Sequence, residues 1–141
     1  MKKIAIVYWS GTGNTEKMAE YIAEGVTQNG GEAEMFTPDA FKPDMMDSYD
    51  AIAFGCPSMG AEELEPGEFE PMFALCEPRL KDRKIALFGS YGWGDGEWMR
   101  TWQKRCEDSG AILMGEGVKC CGMPSKEARA ECLSQGEFLV R

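Results

Sequence analysis

A turn rich in glycine and hydroxyl side chains lies near the start of the chain, between an apolar run and a stretch with helical spacing. The turn, Ser10–Thr15, reads Ser-Gly-Thr-Gly-Asn-Thr and follows the apolar run Ile4–Trp9. Its two glycines let the backbone turn tightly and direct several N–H groups to one place, where the next helix also points its N-terminal dipole. This pattern predicts an anion-binding cradle at the carboxyl end of a parallel strand.

The cradle has only neutral donors, since no Lys or Arg lies inside it and Lys17 comes just after it. Neutral donors favour a phosphate monoester on a tightly held cofactor over a transferable triphosphate. The common nucleotide motifs do not fit, because Glu16 replaces the last glycine of the dinucleotide motif and Asn14-Thr15 replaces the Lys-Ser of a Walker loop. From this turn alone, a glycine-rich turn that binds nothing remains the alternative.

Length, charge and the lack of histidine exclude several classes of protein. The 141 residues suit one domain, 1–141, and no apolar stretch approaches the roughly 18 residues of a membrane span. The N-terminal run does not resemble a signal peptide, so we expect a cytoplasmic protein. The net charge of −9 argues against nucleic acid and membrane surfaces as partners. Without histidine, His-based catalysis and His-ligated metals are excluded.

The cysteines show no C-x-x-C spacing, which indicates reduced thiols packed mostly in a core. The adjacent pair Cys120-Cys121 has ligands for a soft metal, but strand packing is the favoured interpretation. We therefore expect no metal site, and an organic cofactor must carry any redox chemistry. The six cysteines are Cys56, Cys76, Cys106, Cys120, Cys121 and Cys132.

Strand-like and helix-like segments alternate about five times along the chain. The expected strands are 3–9, 32–36, 51–56, 84–88 and 111–118. The expected helices are 15–28, 67–76, 96–109 and 126–135, whereas 37–50 is typical of a loop or a short, poor helix. The alternation predicts an α/β fold with a doubly wound, five-stranded parallel sheet and helices on both faces. Such sheets bind ligands beyond the carboxyl ends of their strands.

Two more unusual segments follow expected strands, at 56–64 and 89–96. The second has four glycines around two aromatic residues, and Trp93 has little of its own loop to pack against. In the first segment, Met59 offers a soft apolar contact and Gly60 a backbone that accepts either sign of φ. Together with the cradle, these segments describe a site for a planar ring system that ends in a phosphate, namely flavin mononucleotide (FMN).

The chain resembles the short-chain flavodoxins of anaerobic bacteria along essentially its whole length. Three motifs carry the resemblance: Ser-Gly-Thr-Gly-Asn-Thr at 10–15, Met-Gly-x-Glu at 59–62 and Gly-Ser-Tyr-Gly-Trp-Gly at 89–94. The resemblance implies a flavodoxin-like sheet with strand order 2-1-3-4-5. It also implies a low-potential one-electron carrier that shuttles electrons between redox enzymes on non-covalently bound FMN.

The resemblance also assigns contacts with the flavin. It implies that Trp93 stacks on the outer face of the ring, that Met59 packs on the inner face and that Glu62 accepts from the ring N3–H. Gly60 opens a turn whose peptide flips on reduction; some relatives have Asp next, but this chain has Ala61 and lacks that charge. The expected cofactor-binding residues are Ser10, Gly11, Thr12, Gly13, Asn14, Thr15, Pro57, Ser58, Met59, Gly60, Ala61, Glu62, Ser90, Tyr91, Gly92, Trp93 and Gly94.

An electron carrier is the preferred function, because the expected cleft has no residue suited to proton transfer and so no catalytic residue. The alternative is an FMN-dependent reductase of quinone or nitro substrates, which needs a nicotinamide site or a dimer pocket. A flavin sensor or scaffold is a third possibility, but it has no need of the Gly60 flip.

The expected partners are redox enzymes with basic docking faces, which meet a monomer through short-lived, charge-steered complexes. The acidic residues after the third and fourth strands supply the complementary charge, and Glu65 and Glu97 are expected to be solvated. The expected docking face surrounds Glu62, Glu63, Glu65 and Asp95.

Overall fold

Every strand of the sheet runs parallel to its neighbours. The computed structural model describes residues 1–141. The strand order is β2-β1-β3-β4-β5, and β6 also pairs with β4, so the predicted α/β architecture and strand order are confirmed. The strands are β1 (Lys3–Tyr8), β2 (Glu32–Phe36), β3 (Ala51–Gly55), β4 (Lys84–Tyr91), β5 (Ile112–Leu113) and β6 (Val118–Cys121).

Helices cover both faces of the sheet, as predicted. One buried cluster joins α1 and α4 to one face, and a second cluster joins α2 and α3 to the other. Residues 4–7 of β1 alternate between the two clusters, which explains why all four are apolar. None of the helices has the length and apolar character needed to span a membrane. The helices are α1 (Asn14–Gln28), α2 (Phe69–Cys76), α3 (Glu97–Asp108) and α4 (Lys126–Leu139).

The expected fifth strand, 111–118, is wrong in its bounds, because two short segments replace it. Ile85 of β4 pairs with Leu113, and Phe88 pairs with Val118. Two residues of β4 therefore face four residues, 114–117, of which Met114 still donates to the Ile85 carbonyl oxygen, and the regular pairing is interrupted between β5 and β6. The sequence signal was Gly-Glu-Gly at 115–117, which marks a break that an apolar pattern alone does not reveal.

The segment 37–50 contains two 3-10 helices rather than one longer helix. They cover Pro38–Ala40 and Pro43–Ser48, and a third 3-10 helix, Glu77–Arg79, follows α2. Each of the first two begins with a proline. The fixed φ of proline suits the first position of a helix, but a proline in the interior of a helix breaks it. This agrees with the expected short, poor helix.

Helices α1 and α4 approach each other closely through glycines. A Cβ atom on Gly25 would overlap the backbone of Leu133, and a Cβ atom on Gly136 would overlap the Ile22 carbonyl oxygen. Because both obstacles are backbone atoms, they cannot move aside as a flexible side chain would. The two glycines therefore set the distance at which the first and last helices pack.

All six cysteines are free thiols, and five of them are buried, in agreement with the prediction of core thiols. Burial raises the pKa of Cys76 and Cys120 to about 11. The adjacent Cys120 and Cys121 alternate along β6, with the first buried and the second exposed. The two side chains therefore point to opposite faces of the strand, as the interpretation of strand packing predicts.

Candidate cofactor site

Residues from the three unusual sequence segments meet in one cavity at the carboxyl ends of β1, β3 and β4. The cavity has a volume of about 260 Å³. Six predicted residues do not line it: Gly13, Gly60, Ala61, Glu62, Trp93 and Gly94. The lining residues are Trp9, Ser10, Gly11, Thr12, Asn14, Thr15, Pro57, Ser58, Met59, Ser90, Tyr91, Gly92 and Gly122.

The phosphate turn, as we call Ser10–Thr15, is shaped by its first serine. The Ser10 hydroxyl oxygen accepts hydrogen bonds from the N–H groups of Gly13, at 3.1 Å, and Glu16, at 3.2 Å. Gly13 has φ +98°, a left-handed conformation that glycine adopts at little cost, and α1 begins at the next residue. Ser10 and Gly13 therefore fold the turn back over the N-terminus of α1.

Several N–H groups of the phosphate turn have no acceptor within the protein. They lie at the N-terminus of a 15-residue helix, where an anion is stabilised by the unpaired N–H groups and by the helix dipole. The turn therefore has the donor set that a phosphate site needs. The unpaired N–H groups are those of Ser10, Gly11, Thr12, Asn14 and Thr15.

A buried hydrogen bond connects the phosphate turn to the end of β4. The hydroxyl groups of Thr15 and Ser90 lie 3.0 Å apart, and the Ser90 N–H also donates to the Thr15 hydroxyl oxygen. Both residues are buried. These predicted cofactor-binding hydroxyls thus pair with each other, and the pair fixes two walls of the cavity.

Ser58 contributes a buried polar atom that lacks a partner. Its backbone N–H donates to the Ser90 carbonyl oxygen at 2.9 Å, which places Ser58 beside β4, but its hydroxyl group has no hydrogen bond. An unsatisfied buried hydroxyl costs about 1–3 kcal/mol. A polar atom of a bound ligand would remove that cost, so this residue fits a cavity that holds a cofactor such as FMN.

The segment after β3 forms a short hairpin, Met59–Glu63. Met59 and Glu63 exchange two backbone hydrogen bonds of 2.8 Å, and Gly60 and Glu62 within the hairpin have φ of +51° and +55°. Met59 lines the cavity, whereas the three residues between Met59 and Glu63 do not. The Glu62 carboxylate accepts from the N–H of Glu97 at 3.1 Å, at the start of α3.

The loop after β4 places a large apolar side chain at the surface. Trp93 is 59% exposed, although Gly92 beside it lines the cavity. Gly94, with φ +84°, lies against the Glu62 carboxylate, so that a Cβ there would be 2.6 Å from Oε1. The hairpin and the β4 loop are thus in contact, and the Trp93 side chain is free to cover a ring that projects from the cavity.

The sequence reasoning missed two lining residues, Trp9 and Gly122. The expected first strand, 3–9, includes Trp9, but Trp9 follows β1, and its indole packs over Gly11. Gly122 follows β6 and its N–H donates to the Tyr91 carbonyl oxygen at 2.8 Å. The last strand was predicted to end at Val118, four residues before Gly122, and this placed Gly122 outside the loops at the carboxyl ends.

The expectation that Glu65 is a solvated charge on the docking face is wrong. Glu65 is only 8% exposed, and its carboxylate accepts from the N–H groups of Gly67, Glu68 and Phe69, each at 2.8 Å. Burial alone would raise the pKa of this carboxyl group, but the three donors outweigh it and the pKa lies below its usual value. The carboxylate thus caps the N-terminus of α2, whereas Glu97 is exposed as expected.

Comparison with known proteins identifies the family of this chain. A family model described as flavodoxin matches residues 6–136. The flavodoxin of Megasphaera elsdenii is 49% identical to this chain over 138 residues, which cover 98% of both chains. The flavodoxin of Clostridium beijerinckii is 41% identical over 135 residues, which cover 96% of this chain and 97% of the Clostridium chain. A solution structure of two-electron reduced Megasphaera elsdenii flavodoxin has a TM-score of 0.90 at 46% identity, covering 96% of this chain and 97% of that one. The chain belongs to the flavodoxin family.

Proposed function

We propose that this flavodoxin holds FMN non-covalently in the cavity beside the phosphate turn and delivers single electrons to partners with basic docking faces. Members of this family are FMN-binding electron carriers rather than enzymes, which disfavours the reductase alternative. The observation that carries the proposed site is the set of unpaired polar groups on the residues that line one cavity: five N–H groups of the turn and the hydroxyl of Ser58.

Each part of the site has a separate task in this proposal. The phosphate turn binds the phosphate, Met59 and Trp93 cover the two faces of the ring, and Glu62 accepts from its edge. Bound FMN supplies the one-electron chemistry, while the protein binds it, orients it and excludes water. An ideal Cβ on Gly60 would meet no atom within 4 Å, so only backbone freedom requires glycine there.

The identity of the cofactor is tested by mass spectrometry of the chromophore released from purified protein. We expect FMN, because the cradle has the donors for one phosphate and the second strand ends in Met35-Phe36-Thr37, without the acidic residue that binds an adenosine ribose. Recovery of FAD, or a protein that takes up no flavin from a solution of FMN, would contradict the proposed function.

Replacing Ser58 with alanine should have opposite effects on the empty and the loaded protein. Loss of an unpaired buried hydroxyl should stabilise the apoprotein by about 1 kcal/mol, and loss of its bond to the cofactor should lower FMN affinity by about 0.5–1.5 kcal/mol. Urea unfolding and flavin titration measure the two effects. Ser48→Ala, at an exposed serine, is the matched control. A Ser58→Ala protein with unchanged FMN affinity would remove this hydroxyl from the site.

The proposed docking face is the acidic rim, defined as Glu62, Glu63, Asp95 and Glu97 around the exposed Trp93. Glu63, Asp95 and Glu97 are exposed, but Asp95 forms an ion pair with Arg100 at 3.1 Å. Glu63 and Glu97 are therefore the exposed rim carboxylates with no basic partner. The net charge of −9 adds to the attraction for a basic partner.

Glu63→Gln should slow electron transfer to a basic redox partner and leave FMN affinity unchanged. Charges at the surface are screened over about 8–10 Å at physiological salt, so the wild-type rate should also fall as salt rises. Stopped-flow kinetics at several salt concentrations measure both effects. Glu32→Gln removes the same charge at the start of β2, at the opposite end of the parallel strands, and serves as the control. A rate that is flat from low to high salt would contradict charge steering.

We also propose that residues 1–141 act as one domain and that the protein is a cytoplasmic monomer without nucleic-acid or membrane partners. The two buried clusters share a single sheet, which supports one domain. The buried thiols support a reducing compartment.

A further inference from the structure

The segment Glu65–Glu68, which leads into α2, contacts both parts of the proposed FMN site although neither end residue lines the cavity. Its first residue is bonded to the base of the Met59–Glu63 hairpin. Its last residue is bonded to the tryptophan that packs on the phosphate turn. These two connections use different atoms and can be tested separately.

Glu65 closes the base of the hairpin. Its N–H donates to the Cys56 sulfur at 3.2 Å, and this joins the residues just before and after the segment 57–64. Cys56 is itself held in place, because its carbonyl oxygen accepts from the Trp98 indole N–H at 3.2 Å. The Glu65 carboxylate accepts from the three N–H groups of residues 67–69. These bonds fix Glu65, and with it the end of the segment 57–64, to the N-terminus of α2.

Glu68 reaches the phosphate turn through Trp9. The Trp9 indole N–H donates to the Glu68 carboxylate at 2.7 Å, a short, charge-assisted bond. The indole ring packs against Gly11, where a Cβ would lie 3.0 Å from the ring. Glu68 therefore limits the positions that the indole, and with it the turn, adopts. Because the Glu68 N–H also donates to Glu65, one short segment holds both connections.

We propose that Glu65 and Glu68 are positioning residues that hold the two FMN-binding segments at a fixed separation, Glu65 acting on the hairpin and Glu68 acting on the phosphate turn. The inference rests on the proposed FMN site and adds residues that do not line it. Since the phosphate and the ring lie at opposite ends of FMN, a displaced turn should weaken the hold on the phosphate, and a displaced hairpin should change the environment of the ring.

The first test compares FMN with riboflavin, which has the same ring but no phosphate, by titration into apoprotein. Glu68→Ala and Trp9→Phe should each lower the FMN-to-riboflavin affinity ratio by about threefold to tenfold, the range of one lost hydrogen bond. The double variant should lose no more than either single variant, because both remove the same bond. The one-electron potentials of the Glu68→Ala protein should stay at the wild-type values, and Glu32→Ala is the charge control.

The second test uses Glu65→Gln, which keeps the size of the side chain but removes its charge and one acceptor oxygen. The affinity ratio should stay unchanged, while the one-electron potentials should shift by about 30–60 mV, which corresponds to threefold to tenfold in the relative affinity for two redox states. Glu65→Asp provides the same test with the charge retained if the glutamine variant does not fold.

The results distinguish this inference from the proposed function. A wild-type protein that binds no FMN would overturn the proposed function itself. If wild type binds FMN but the Glu65 and Glu68 variants change both readouts together, or change stability alone, the separate positioning roles are wrong. A fall in the affinity ratio confined to Glu68→Ala, with a shift in potential confined to Glu65→Gln, is the expected result.

Discussion

Replacing Trp93 with alanine is expected to weaken FMN binding by about 1–3 kcal/mol, or roughly fivefold to 150-fold in Kd. In the proposed site the indole covers the outer face of the flavin ring, and its 59% exposure shows that the protein itself leaves this side chain largely uncovered. Flavin titration of the apoprotein measures the loss. The flavin that remains bound should fluoresce more strongly, because the stacked indole that quenches it is absent.

Two controls separate stacking from a general effect of removing an exposed apolar group. Leu75 is 64% exposed on α2, away from the cavity, and Leu75→Ala should leave FMN affinity unchanged. Trp93→Phe keeps an aromatic face and should recover most of the lost affinity. An unchanged Kd in Trp93→Ala would place the indole away from the ring.

Gly89→Ala is expected to lower the free energy of unfolding of the apoprotein by about 3 kcal/mol. A Cβ on Gly89 would overlap the carbonyl group of Cys56 and lie 3.2 Å from the Trp98 ring. That carbonyl belongs to the backbone at the end of β3 and accepts the Trp98 hydrogen bond, so relief of the overlap must move β3 away from β4 or break the bond. Urea unfolding followed by circular dichroism measures the change.

The matched control is Gly92→Ala, three residues further along the same segment. An ideal Cβ on Gly92 meets no atom within 4 Å, and its φ lies outside the left-handed region, so alanine should be accepted without loss of stability. A Gly89→Ala protein as stable as Gly92→Ala would show that β3 and β4 adjust without cost, contrary to the expected effect.

The sequence predicted the elements whose signals are local. The phosphate turn was found because its glycines, hydroxyl residues and flanking strand and helix lie within a few residues of one another. The break between β5 and β6 was not found, because it depends on which residues of β4 face Leu113 and Val118. The apolar pattern of one strand does not predict the register in which that strand pairs with its neighbour.

The same distinction applies to the candidate site. Met59 and Trp93 stand out from their own loops, whereas the role of Glu65 depends on where α2 begins and how its N-terminus is capped. The unpaired Ser58 hydroxyl and the bond between Thr15 and Ser90 depend on residues far apart in the chain. Composition suggested solvated carboxylates after β3, and only the folded arrangement shows that one of them is buried.

The close contact between α1 and α4 has a consequence for the protein as it is synthesised. The apolar stripe of α1, which includes Met18, Ile22 and Val26, is buried in a cluster that α4 completes. Synthesis at about 5–20 residues per second leaves on the order of ten seconds between the emergence of α1 and that of α4 from the ribosome. During that interval the part of the stripe that α4 later covers is accessible to solvent and to chaperones.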